Sequence, residues 1–255
     1  MKNPNNGNGS NGVVRAAKAA ALSGAILAGL VGTSAVTSSA PGPGVAAPRN
    51  FPADQPCSIQ GDGGDPSLNV QKNRFVAPTA DYMTSNVMAP ADMIKLLEPH
   101  ELESFKQRAD WPDDSPVQQV KTLETKAVTL EGYLVGAKKE NTGNGESCNC
   151  HEPKTLFDYH LYVADEPSVG IDEAVVVEMT PRWRDVYSTW GTADNNYEGF
   201  GVIKSHVDER VRVTGWLLFD EEHLNQVGKY RATVWEIHPI TTFQYQENNG
   251  SWTTL

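Results

Sequence analysis

ERVRVTGWLLFD, residues 209–220, sets apolar side chains at alternate positions, carries one glycine inside the run and stops at an aspartate. A period of two marks a β-strand with one buried face, whereas an amphipathic helix repeats about every 3.6 residues. Four more segments read the same way: KAVTLEGYLVGAKKE (126–140), FDYHLYVAD (157–165), EAVVVEMTP (173–181) and RATVWEIHPITTFQYQ (231–246). A longer, aromatic-rich insert from Arg182 to Asp208 separates the third from the fourth. Five strands with the long connection in that place follow the order of an OB-fold, a small closed barrel. Gly132 and Gly215 sit inside the first and fourth strands, where such a barrel must coil sharply. The expected fold class is therefore mainly β, an OB-fold-like five-stranded barrel with a short helical N-terminal extension. A simple five-stranded meander would show the same alternation.

Outward from the barrel, residues 1–40 hold a polar start, two basic residues (Arg15 and Lys18) and the weakly apolar run AAALSGAILAGLVGTSAV, ending in small residues around Ala35 and Ala40. This is the pattern of a secretory signal peptide. The run from Ala19 to Val36 also just reaches spanning length, so an N-terminal anchor is the alternative. Both readings place the body outside the cytoplasm, periplasmic or extracellular, with membrane contact only if the segment is retained. Residues 41–56, PGPGVAAPRNFPADQP, form a flexible linker. Residues 57–118 make up an extension that packs on the barrel. Its clearest helical pattern lies in APADMIKLLEPHELESFKQRADW, with Asp92 as N-cap and Pro99 as a boundary. The barrel is expected over 119–246, and 247–255 form a polar tail.

The net charge is −11, and the barrel segment 120–246 holds 12 Lys and Arg against 20 Asp and Glu. That balance disfavours nonspecific phosphate-backbone binding, so nucleic acid is a weak candidate partner. It is compatible with a cationic ligand, a metal ion such as zinc, or simple solubility, and the ligand or protein partner is otherwise open. The three cysteines are Cys57, Cys148 and Cys150. In an exported protein a disulfide from Cys57 to either of the others would staple the extension to the barrel. Such a bridge would add roughly 4 kcal/mol by restricting the unfolded chain. The competing use is metal ligation by Cys148, Cys150 and His151.

Period-two facing also singles out a polar face. If Tyr159, Leu161 and Val163 point inward, Asp158 and His160 point outward; the same logic turns Glu178, Glu236 and His238 out of the third and fifth strands. An OB barrel places the third strand between the second and fifth, so all five would share one surface. Two imidazoles with carboxylates suit a divalent metal such as zinc, with His160, Glu178 and His238 as ligands. The bland alternative is a hydrogen-bonded structural cluster covered by the N-terminal segment. Arg182 and Trp183 could hold an anion or stack on a planar group.

The stretches GDGGDPSLNVQKNR, ESCNCH, DYHLYV, VVVEMTPR, VRVTGWLLFD and WEIHPI resemble blocks of an uncharacterised bacterial exported protein family and cover most of residues 57–245. The resemblance implies a unit of that extent and transfers no catalytic residue. Two functions are expected from the residues. One is an exported OB-like binding or interaction module; the other is a metal-dependent hydrolase, phosphodiesterase-like, using the His/carboxylate face.

Overall fold

One long strand, β2 (Ala127–Lys139), closes the barrel by pairing on both sides. Residues 127–133 run antiparallel to β5 (Arg210–Phe219), and residues 133–139 run antiparallel to β3 (Tyr159–Ala164). The computed structural model describes residues 58–79, 85–105, 107–140, 157–190 and 198–255. β3 continues antiparallel into β4 (Val175–Met179), which pairs in parallel with β6 (Trp235–Gln246), and β6 returns antiparallel to β5. Numbered within the barrel, this is order 1-2-3-5-4 with closure onto strand one, the OB arrangement expected from the sequence. Two short strands add to it: β1 (Val87–Met88) pairs in parallel with β2, and β7 (Trp252–Thr254) extends β6.

Alternation assigns the inner face as read from the sequence. Tyr159, Leu161, Val163, Val175, Val177, Met179, Trp235 and Ile237 all lie in one buried core. Burying each such side chain stabilises the fold by about 1.5–3 kcal/mol. At Gly215 the register of β5 on β6 shifts, and an added Cβ would strike the Pro239 carbonyl and the Ile237 side chain. Gly132 meets the Ala164 carbonyl and Val163 in the same way. These are the close backbone approaches that make a barrel corner possible.

The extension is built from short helices, two of them capped by an aspartate. α1 (Pro66–Lys72) starts where Asp65 accepts a hydrogen bond from the Ser67 amide, with Pro66 in the first turn. The preceding turns use Gly61 (φ 69°) and Gly64 (φ 63°), and buried Asn69 ties them down through the Gln60 and Gly63 carbonyls, both at 2.8 Å. α2 (Pro90–Met93) is followed by 3₁₀ turns at His100–Ser104 and Arg108–Asp110. α3 (Ser115–Glu124) is capped by Asp114 and buries Val117 and Val120. In the insert, α4 (Pro181–Val186) and α5 (Glu198–Lys204) cover one end of the barrel.

Several boundaries differ from the sequence reading. The strongest helical pattern yields one short helix and two 3₁₀ turns, and Ala89 rather than Asp92 occupies the N-cap, because Pro90 already sets the first turn. The turn-rich stretch contains α1. The barrel begins at Ala127, since 115–124 form α3, and the tail carries β7. Residues 1–57, with the expected signal or anchor and linker, lie outside the described residues. Among the described residues no helix is long and apolar enough to cross a membrane.

Three buried tryptophans dock peripheral segments by donating their indole N–H to a carbonyl: Trp183 to Arg74 (3.0 Å), Trp235 to Leu97 (2.9 Å) and Trp190 to Leu255 (3.1 Å). Arg108 fastens the extension as well. Its Nε donates to Glu221 at 2.9 Å, its Nη1 to Glu124 at 2.8 Å and its Nη2 to the Phe219 carbonyl at 2.5 Å.

Candidate functional site

The outer face of β3, β4 and β6 carries polar side chains that strand register sets side by side. His160 lies opposite Glu178, and Val176 pairs with Glu236. Glu178 bridges two imidazoles, with Oε1 at 2.8 Å from His160 Nε2 and Oε2 at 3.2 Å from His238 Nδ1. His160 Nδ1 reaches Glu140 at 3.0 Å, and Glu140 also meets Lys138 at 2.7 Å. On the other side His238 Nδ1 lies 3.3 Å from Glu236, whose other oxygen takes Arg231 at 2.5 Å. Arg231 continues to Asp220 at 2.9 Å, and Asp220 accepts from His223 at 2.5 Å. A continuous line of polar contacts and ion pairs thus runs from β2 across the barrel to the connection between β5 and β6.

This face points away from the barrel core, yet it is buried: Glu236 is 0%, His238 1%, Asp158 2% and Glu178 5% exposed. The cover comes from the extension. Lys72, at the end of α1, sits 3.4 Å from Glu222 and 4.0 Å from Asp220. Asn73 next to it accepts a hydrogen bond from Arg182 at 2.9 Å. Buried ions persist only with partners, and the contacts along this line supply them beneath the cover.

Burial and neighbouring charges divide the protons unevenly. Burial works against the His160 imidazolium, but Glu178 and Glu140 outweigh it and raise its pKa well above the ordinary value. His238 goes the other way: burial lowers it, and Glu178 and Asp158 only partly compensate. The Glu178 carboxyl resists burial because His160 and His238 hold it well below the usual range. Asp158 is pushed up to about 7 by burial and by the adjacent Glu178 charge. Glu140 falls to about 2 despite burial, held by His160 and Lys138. Near neutral pH the cluster therefore holds a charged His160, a neutral His238 and an Asp158 poised between its two states.

A cavity of about 420 Å³ opens against one flank of this line. Lys138, Glu140, His160, His223, Tyr230 and Arg231 supply its polar lining. Tyr162, Ile171 and Val176 form an apolar wall, part of a small hydrophobic cluster outside the barrel. The cavity lies on the second and third barrel strands, beside the connection between the fourth and fifth, where OB barrels seat oligonucleotides and oligosaccharides. A second cavity of about 450 Å³ lies elsewhere, lined by His206, Glu209, Tyr245 and Gly250 among others. There the His206 ring stacks on Tyr245 at 4.0 Å and bonds Glu209 at 2.7 Å.

The structure brings Asp158, His160, Glu178, Glu236 and His238 together, as the strand pattern implied. Among the described residues two groups of metal-ligating atoms converge within 4.8 Å: Asp158, Glu178 and His238, and Asp220, His223 and Glu236. Of the expected metal set of His160, Glu178 and His238, His160 meets Glu178 through Nε2 and Glu140 through Nδ1, and Asp158 takes its place in the converging group. Arg182 and Trp183 do not line the cavity; they are buried and hold residues 73 and 74 of the extension. Trp190 lies in the core and the partly buried Phe200 packs against it. Cys57, Cys148, Cys150 and His151 lie outside the described residues. Sequence reasoning missed Lys72, at the end of α1, and Asp220 and Arg231, which fall at the ends of the quoted segments just beyond β5 and before β6, where alternation assigns no face.

No protein-family model matches the chain, and neither a curated protein nor a solved structure matches it. Function must therefore be argued from the site itself.

Proposed function

We propose that the chain is a ligand-binding module whose ligand seats in the cavity on the outer face of barrel strands two and three. The observation that carries this reading is the coincidence of a concave, half-polar, half-apolar pocket with the face that OB barrels use for ligands. The basic n-region and apolar run near the N-terminus support an exported location. The acidic balance and the small cavity speak against a long nucleic acid as ligand. Gln226→Trp on the cavity rim tests the reading. A thermal-shift screen of the full chain with small polar compounds should yield hits, and the variant should lose them while keeping its own melting temperature. Hits that survive the blocking tryptophan would refute the proposal.

A metal-dependent hydrolase is the second reading, favoured by the Asp158, Glu178 and His238 convergence. Weighing against it, both Glu178 oxygens already engage imidazoles, and all three residues are buried. Elemental analysis of untagged protein decides: a stoichiometric divalent ion, lost in His238→Gln, is the result this reading requires.

A further inference from the structure

Resting on the reading of the cavity as a ligand site, we infer that its ligand carries an oxyanion, a carboxylate or phosphate group, received by Arg231, His160, His223 and Lys138. Charge is layered here. Among the described residues lining the cavity, four can present positive charge and only Glu140 presents a carboxylate. The acids they contact, Glu178, Asp220 and Glu236, sit behind this layer and do not line the cavity, and burial with the neighbouring Asp220 and Glu178 charges raises Glu236 well above the usual carboxylate range. The cavity therefore meets donors first, although the chain as a whole is acidic.

Arg231 supplies the second, independent observation. The residue is 2% exposed and spends Nη1 on Asp220 and Glu236, at 2.9 and 2.5 Å. Its Nε–H is buried and has no acceptor among the described residues. An orphaned guanidinium donor beside a cavity is a cost that a ligand oxygen removes, and guanidinium groups match carboxylate and phosphate geometry. Burial works against both imidazolium ions, but Glu178 and Glu140 raise His160 and Asp220 raises His223 above the ordinary histidine value. Tyr162, Ile171 and Val176 offer apolar surface to the organic remainder, and Tyr230, 58% exposed, stands at the rim. The overall negative charge repels polyanions at long range, so the fit is to a small anion.

The test is a titration of the full chain, followed by ¹H–¹⁵N spectra, with inorganic phosphate, acetate, glucose and choline as separate probes at constant ionic strength. Phosphate or acetate should shift the amides of residues lining this cavity, and which of the two binds tighter assigns the oxyanion. His223→Gln and Lys138→Gln should each weaken that anion about tenfold, equivalent to ~1.4 kcal/mol. Lys121→Gln, which removes a cation outside the cavity, should leave it unchanged. Lys138→Gln leaves the contacts of Arg231 untouched, whereas His223 shares Asp220 with Arg231, so the lysine variant separates loss of a cavity cation from a shift of Arg231. Shifts with glucose or choline alone would overturn the oxyanion inference and leave the binding module standing. Shifts with no probe of any class would sink both. Equal weakening by all three variants would reduce the effect to general screening and overturn the inference.

Discussion

Replacing Glu178 by Gln keeps the shape of the side chain and removes the charge that two imidazoles share. In the native protein its oxygens lie 2.8 Å from His160 and 3.2 Å from His238, with the carboxylate 5% exposed. Breaking a buried pair from one side costs about 3–5 kcal/mol, because the other charge stays behind. His160 keeps Glu140 at 3.0 Å, so the low end of that range, ~3 kcal/mol, is expected. For a unit of this size each kcal/mol moves the melting temperature by about 2–4 °C, giving a fall of roughly 6–12 °C. The sign with pH follows from the two shifts. His160 is raised above 6.5, so its contribution is complete below 6.5 and is lost as pH rises through the folded value. Glu178 is lowered from 4.5, so its contribution is complete above 4.5 and is lost as pH falls through the folded value. Both are intact between 4.5 and 6.5, and the variant should be weakest relative to the native protein there. Urea unfolding at about pH 6 and again at strongly alkaline pH measures this. A loss under ~1 kcal/mol at about pH 6, or one that does not shrink in alkali, would refute the charge-pair account.

Further outcomes follow from the same contacts. Asp158→Asn should stabilise the protein at about pH 8. The native carboxyl, raised from 3.8 to about 7, makes stability fall as pH rises through that interval, by at most ~4 kcal/mol. The variant's advantage should vanish below about pH 4 in urea titrations, and an advantage independent of pH would contradict the assignment. Arg108→Met strands Glu124 and Glu221 in buried positions and should cost about 3–5 kcal/mol, with proteolysis speeding first within residues 58–110. Protection of that segment at the native level would show that Arg108 does not fasten it. Gly215→Ala drives a methyl into the Pro239 carbonyl and Ile237, and should lose about 1–3 kcal/mol in thermal unfolding. A neutral effect would place the barrel corner elsewhere.

The barrel was legible in the sequence because side-chain direction along a strand is fixed by a period of two. Tyr159, Leu161 and Val163 face the core for the same reason that His160 does not. The strand order followed from the long Arg182–Asp208 insert, which permits a crossing between the third and fourth strands. The burial of the polar face was open in the sequence, since alternation reports direction and says nothing of what lies beyond a side chain. Lys72 covers Asp220 from 148 positions away in the chain, a long-range contact that no local pattern encodes. Helices α1 and α3 were hidden because each buries only a few residues: Leu68, Asn69 and Lys72 in one, Val117, Val120 and Glu124 in the other. Their signals were capping ones, Asp65 before Pro66 and Asp114 before Ser115 and Pro116. Arg182 and Trp183 have the right chemistry for a ligand but lie on α4, whose first turn aims them at the extension.

Backbone chemical-shift mapping of the full chain, with the tightest-binding compound from the small-molecule screen, tests the central claim that this face of the barrel is the ligand site. The account predicts saturable shifts at Lys138, His160, Tyr162, Val176, His223 and Tyr230, around the cavity of about 420 Å³. Shifts confined to His206, Glu209, Tyr245 and Gly250, around the other cavity, would contradict it.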